Sequence, residues 1–266
     1  MIKPQEIQNK AREAGVRDQQ IEKDYVLSWL LQGIANHSYL ASKLVFKGGT
    51  VLKKVYFQDY RFSEDLDFTL MDSEVPNDQI MEWFTEVFGY VQEEANIPLD
   101  ILDNNEHERG GINFYISFIG PLGGFGSNKK VKVDITRGEQ LQFNAINQKA
   151  LLSYSDQMEH ELHCYTLEEV LIEKLRSVMQ RMQARDFYDI WYLTEVHGMN
   201  AALYSAEFKT KCLNKGMRSE DFHSKLLQRL PQYRGRWSTS LRDQIKDLPE
   251  FDRVEREALR HLKKLQ

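Results

Sequence analysis

Residues 46–68, FKGGTVLKKVYFQDYRFSEDLDF, put two acidic residues where a strand has to bury its other face. Side chains alternate along a strand, so Asp65 and Asp67 share one face while Leu66 and Phe68 share the other. Burying Leu66 and Phe68 in a core leaves both carboxylates together on an open face. Like charges that close stay ionised at low cost only if a cation sits between them. Hard oxygen donors of this kind suit Mg²⁺, which takes one or two carboxylates and substrate phosphates. Glu64 points away from Asp65 in this reading and is the weaker ligand candidate. Upstream, Leu44-Val45-Phe46 reads as a short buried strand ending at Gly48-Gly49, and Thr50 through Tyr56 as a helix. A glycine pair lets backbone approach a phosphate, and the helix start that follows offers unpaired N–H groups. Thr50 either adds a hydroxyl donor or caps that helix.

The rest of the chain supplies a setting for this motif. Residues 5–35 read as helical, with Ile21, Tyr25, Val26, Trp29, Leu30 and Ile34 forming one buried stripe. Residues 62–70 read as the strand carrying the carboxylates. Residues 77–94 form a helix with Ile80, Phe84, Val87, Phe88 and Val91 on one face. Residues 112–119 and 131–136 alternate and are β-branched, as strands are, with PLGGFGSNKK as a hairpin-like connection. In the second of these, Val131, Val133 and Ile135 alternate inward and leave Lys132 and Asp134 on the open face. From Thr166 the pattern is helical, opened by a capping box, Thr166-x-x-Glu169, and broken near Gly198, Gly216, Pro231 and Pro249. The expected class is α+β: a small mixed sheet with N-terminal helices over residues 1–160, then a mainly helical portion over 161–266.

Bulk properties narrow the chemistry. The 266 residues, 41% hydrophobic and 28% charged, suffice for a sizeable core, and no apolar run reaches membrane-spanning length. Cys164 and Cys212 make no CxxC pair, and His160 and His163 lack further ligands nearby. A disulfide or zinc framework is not expected, and a cytoplasmic setting is. No G-x-S-x-G elbow or P-loop is present. The net charge of −5 hides an asymmetry: residues 1–172 hold 16 Lys+Arg against 27 Asp+Glu, and residues 173–266 hold 19 against 13. An acidic front with a basic rear fits a metal site beside a polyanion surface, and it equally fits chance segregation of solvated charge. Two tail segments, KTKCLNKGMR (209–218) and YRGRW (233–237), mix cations with aromatics, either to contact RNA or as a solvated helical face.

A strand, a glycine-pair turn opening a helix, and D-h-D on the next strand resemble the polymerase-β-like nucleotidyltransferases. The form FKGGT…RFSEDLDF resembles, within that superfamily, the AbiEii/AbiGii-type toxins of type IV toxin–antitoxin pairs. IEKDYVLSWLL at 21–31 and LEEVLIEKLRSVMQRMQARDFYDIWYL at 167–193 are similar to the same family, so the likeness runs from about residue 5 to 195. The 15 residues between Gly49 and Asp65 exceed the usual superfamily spacing but look normal for this branch.

The resemblance implies transfer of a nucleoside monophosphate from an NTP to an acceptor hydroxyl, with pyrophosphate released and two Mg²⁺ ions assisting. It implies Asp65 and Asp67 as metal ligands, with Asp134 as the third carboxylate, acting as base or metal bridge. Gly48, Gly49, Thr50, Arg61, Ser63 and Lys132 fall on its NTP-binding side. Lys174 carries over as the phosphate-binding and catalytic lysine, with Arg185, Asp186 and Asp189 supporting it. On an unbroken helix, Lys174, Arg181 and Arg185 fall within roughly 20° of one line, beside a buried stripe of Leu171, Leu175, Val178 and Met182. Arg185 and Asp189 at i,i+4 also suit a plain surface pair, and Asp186 suits the cap of a second helix. The acceptor stays open: RNA such as a tRNA end, a protein hydroxyl, or a small molecule such as an aminoglycoside. A non-catalytic NTP- or partner-binding module is a further alternative. The family also implies a cognate antitoxin as partner, and the lack of a membrane-length apolar run implies no membrane association.

Overall fold

The computed structural model describes residues 1–72, 74–107, 110–124, 126 and 129–265. The chain divides into two compact units, one of residues 1–139 and 145–164, the other of 140–144 and 165–266.

The first unit opens with helices α1 (Pro4–Ala14) and α2 (Asp18–Asn36), where the sequence suggested one helix. Gly15 separates them in a left-handed C-cap, with φ of 63°. Nearly every residue of α2 from Gln20 to Ile34 is buried, so the helix is covered all round and carries no single buried stripe. A four-residue helix α3 (Leu40–Lys43) leads into strand β1 (Leu44–Lys47). The one-turn helix α4 (Gly48–Val51) follows, continued by a π-turn over Leu52–Tyr56. Strand β2 (Asp65–Leu70) begins three residues later than expected, and α5 (Asn77–Ala95) buries the anticipated face of Ile80, Phe84, Val87, Phe88 and Val91.

Strands β3 (Leu99–Glu106), β4 (Ile112–Phe118), β5 (Lys130–Arg137), β6 (Ile146–Lys149) and β7 (Glu161–Cys164) complete one seven-stranded sheet in the order β3-β4-β5-β2-β1-β7-β6. β1 runs antiparallel to β2, and β2 parallel to β5, so the sheet is mixed. Leu66, Phe68, Phe114 and Val133 lie on its covered face, where Phe114 meets Phe84 of α5 edge-on with ring centroids 4.9 Å apart. Lys54 is buried among Asp24 Oδ2 (2.7 Å), Ser28 Oγ (2.7 Å) and the Asp24 carbonyl (3.0 Å), with the Tyr154 hydroxyl 2.8 Å from the same carboxylate oxygen. Burial lowers the affinity of Lys54 for its proton, and Asp24 only partly offsets this.

The second unit is helical: α6 (Leu167–Gln180), α7 (Ala184–Trp191) extended by a π-turn over Tyr192–Val196, α8 (Ser205–Leu213), α9 (Phe222–Leu241) and α10 (Phe251–Leu262). Pro231 does not break the chain as expected but sits inside α9. One lost backbone bond is outweighed there by a continuous buried face of Leu226, Leu230, Tyr233 and Trp237. Phe187 stacks on Tyr233 with planes 5° apart. The capping box forms only in part. Thr166 Oγ accepts from the Glu169 N–H at 3.3 Å, but the buried Glu169 carboxylate turns to the Lys211 ammonium (2.6 Å) and the N–H groups of Gln142 (2.8 Å) and Phe143 (3.0 Å). That buried pair removes Lys211 from any solvated or RNA-facing role. Tyr233 and Trp237 are likewise core residues. Arg234 pairs with Asp252 and Glu255, and Arg236 donates to the Met182 carbonyl.

Candidate active site

Register decides what the sequence left open about the acidic face. Asp67 of β2 lies directly beside Asp134 of β5, and Asp65 beside Lys132, while Leu66 and Val133 between them are buried. Partners across a ladder share a face, so Asp65, Asp67, Lys132 and Asp134 form a two-by-two grid on one side of the sheet. On the far side of β2, Lys47 of β1 pairs in register with Asp67. The Lys47 ammonium is largely buried and donates to Thr136 Oγ1 at 2.7 Å.

The glycine turn abuts this grid. Gly48 has φ of 81°, and a Cβ placed on it would lie 2.5 Å from Asp67 Oδ2. Only glycine adopts that backbone freely and leaves the carboxylate its place. Gly49 and Thr50 are buried in the first turn of α4. The Thr50 hydroxyl, offered by the sequence as a phosphate donor or a cap, does not cap α4. It lies 2.6 Å from the Asp65 carbonyl and 2.7 Å from Ser63 Oγ, tying the turn to the start of β2. Ser63 is buried in that contact, and Arg61 is buried with Nη1 3.2 Å from the Phe62 carbonyl. Both therefore shape the loop before β2. Glu64 pairs with Lys23 at 3.3 Å.

Asp134 is held from both sides. Lys132 Nζ lies 3.1 Å from its Oδ2, and His107 Nε2 lies 3.3 Å from its Oδ1. Burial pulls the Lys132 pKa down. The hydrogen bond and charge of Asp134, with the charges of Asp65 and Asp67, outweigh this and raise it above the ordinary lysine value. Lys132 is thus an ammonium embedded among three carboxylates. Sequence reasoning missed Lys47 and His107. The place of Lys47, immediately before the glycine pair on a strand facing D-h-D, was a usable signal; His107 sits in a loop whose partner only the sheet brings near.

As a cation site, Asp65 and Asp67 fit Mg²⁺ in donor type, being two half-buried hard-oxygen ligands on one face. Asp134 is already engaged by a lysine and a histidine. Among the described residues, no three His, Cys, Asp or Glu side chains stand close enough together to hold a metal ion.

The second basic motif belongs to the helical unit. α6 ends at Gln180 because Arg181 turns extended, and α7 starts at Ala184. The single line of Lys174, Arg181 and Arg185 therefore does not form, and Met182, expected in the buried stripe, is exposed, whereas Leu171, Leu175 and Val178 are buried. Lys174 is buried with its ammonium 2.7 Å from both Asp186 Oδ1 and Asp189 Oδ2. The exposed Arg181 grips Asp186 through two nitrogens at 2.7 and 3.0 Å. Asp186 and Asp189 are core carboxylates serving Lys174, and Arg185 is half-buried on the first turn of α7.

The chain has relatives. The family model of the AbiEii nucleotidyl transferase toxin of type IV toxin–antitoxin systems matches residues 29–257. The chain belongs to that family. The AbiEii match thus includes the glycine turn, the Asp65/Asp67 strand, Asp134 and the Lys174 cluster. Among solved structures, the chain is similar to MenT4, a nucleotidyltransferase toxin from Mycobacterium tuberculosis H37Rv. The TM-score is 0.69 at 18% identity, covering 100% of this chain and 91% of that one. It is also similar to JHP933 from Helicobacter pylori, with a TM-score of 0.57 at 15% identity and 94% of each chain covered. At such identities these likenesses speak to the fold. No curated protein sequence matches the chain. Among the described residues, no helix is long and apolar enough to cross a membrane.

Proposed function

We propose that this AbiEii-family chain transfers a nucleoside monophosphate from an NTP to a hydroxyl of RNA, with the acceptor end of tRNA as the favoured target. The observation that carries the reading is the grid of Asp65, Asp67 and Asp134 beside the Gly48 turn. In the reaction the acceptor oxygen attacks the α-phosphorus, a new P–O bond forms, and the bond to the bridging oxygen breaks to release pyrophosphate. The hydroxyl proton passes to a carboxylate, for which Asp134 is assigned. Asp65 and Asp67 would hold Mg²⁺, which supplies charge neutralisation for the triphosphate. A second Mg²⁺, as the superfamily resemblance suggests, would need an oxygen of Asp134. Gly48 and Gly49 let the backbone approach the phosphates, and Lys132 stands near enough to meet their charge. Lys174, fixed by Asp186 and Asp189, is assigned to phosphate contact. RNA as acceptor is supported by the family resemblance and by the cation excess of residues 173–266. The toxin would act in the cytoplasm, opposed by a cognate antitoxin.

The test is incubation of purified protein with total cellular RNA, Mg²⁺ and each α-³²P-labelled NTP in turn, beside Asp65→Asn. Label entering an RNA band with wild type, reduced by about a hundredfold or more in the variant, is expected. Label on protein would move the acceptor to a protein hydroxyl. Equal labelling by Asp65→Asn would remove the proposed site.

A further inference from the structure

One corner of the catalytic grid is a lysine. Asp65 stands across from Lys132 and Asp67 across from Asp134, on strands about 4.8 Å apart. An ammonium thus lies one strand spacing from Asp65 and one alternate position from Asp134, on the face where a second metal would have to sit. Both oxygens of Asp134 are spoken for, by Lys132 Nζ at 3.1 Å and His107 Nε2 at 3.3 Å. Two cations shared among three carboxylates need Asp134 to give an oxygen to metal, and that means displacing the Lys132 ammonium from Oδ2 or bringing the ion to Oδ1, beside His107 and still within reach of that ammonium.

We propose that the Lys132 ammonium takes the place of one of the two cations in this site, so that the chain binds a single divalent ion through Asp65 and Asp67 and keeps Asp134 as proton acceptor. The inference rests on the nucleotidyl-transfer reading and deepens it. The charge balance supports it: the Lys132 ammonium, with the Lys47 ammonium on the neighbouring strand, leaves three carboxylates too little net negative charge for two divalent ions. A second divalent ion would face the ammonium at close range, a repulsion that at an effective dielectric constant of about 20 weakens its binding by about tenfold or more. The lysine is tethered by the strand, so its charge is present at every Mg²⁺ concentration.

The probe is Mn²⁺, counted per chain by the electron paramagnetic resonance signal of the free ion, with the full chain and a saturating non-hydrolysable NTP analogue. The count is corrected for ion bound to analogue free in solution. Wild type and Lys132→Arg are expected to bind one ion per chain, and Lys132→Met to bind a second with at least tenfold higher affinity than wild type shows. The Lys132 side chain is 31% exposed, so its replacement leaves the core intact. Lys132→Gln serves if the Met variant fails to fold. Two ions on wild type, or one on every folded variant, would overturn the inference while leaving RNA labelling untouched. No ion on wild type would overturn it together with the transfer reading, and the labelling experiment would then fail as well.

Discussion

Gly48 shows how a single position couples backbone to chemistry. Its φ of 81° disfavours any other residue, and a methyl group there would lie 2.5 Å from Asp67 Oδ2 and 3.2 Å from Asp67 Cγ. The backbone term costs about 1–2 kcal/mol. The clash is with the tip of a side chain, which yields by rotating, so the fold survives and the carboxylate moves. Gly48→Ala is therefore expected to lower the melting temperature by only a few degrees. It should reduce NMP transfer by at least tenfold, since a displacement of about 1 Å is costly in a positioned site. Thermal melts and labelled transfer read the two effects; unchanged transfer would detach Gly48 from the site. The Asp65/Asp67 pair was legible because alternation is local, and the same logic found Lys132 and Asp134 on a shared face. Lys47 had a local signal in its place before the glycine pair, but the partners of Lys47 and His107, Thr136 and Asp134, are supplied by register and not by neighbouring sequence.

The break between α6 and α7 is the element where helical periodicity misled. Continued past Gln180, the helix would have pointed Arg181 and Arg185 along one line with Lys174. Instead the extended Arg181 lets Asp186, on the first turn of α7, close on Lys174. Burial pushes the Asp186 carboxyl upward, but the charges of Lys174 and Arg181 outweigh it and hold its pKa below the ordinary value. A carboxylate lowered on folding contributes stability that is fully present above its unfolded pKa of about 3.9, and loses it as pH falls through the folded value. Asp186→Asn leaves Lys174 its second partner, Asp189, so the neutral-pH cost should fall near the low end for a broken buried pair, about 3 kcal/mol. The stability gap between wild type and variant, measured by urea unfolding, is expected to hold from pH 7 to pH 5 and narrow below about pH 4. A gap unchanged at pH 3 would mean that the carboxylate is not the charged partner of Lys174. The strands missed from sequence have a similar explanation. β3 is a mostly exposed edge with polar residues from Asp103 on, and β6 and β7 are four residues each, too short for a period-2 pattern.

At the scale of the molecule, chain order and spatial order part company at the end of the sheet. β7 pairs parallel with β1, through Phe46 and Cys164, and antiparallel with β6, so it is the strand that ties β6 to the rest. A division after residue 160 follows the change from β-like to helical pattern, which is all a sequence displays. The pairing is long-range and leaves no local trace. Residues 140–144, by contrast, leave the sheet-bearing unit for the helical one, where Gln142 and Phe143 donate to Glu169. A fragment of residues 1–160 lacks β7, strips β6 of its partner and opens the edge of β1, whose Val45 and Phe46 are fully buried. Ending at residue 164 restores Leu162 and Cys164 to that core at the expense of one solvated loop. The 1–164 fragment is thus expected to unfold cooperatively in urea, and the 1–160 fragment to show a broad, low-amplitude change with aggregation at the exposed edge. Cooperative unfolding of both would mean that the first unit holds without β7, and that its sheet is stabilised chiefly by α2 and α5 packed over the buried face.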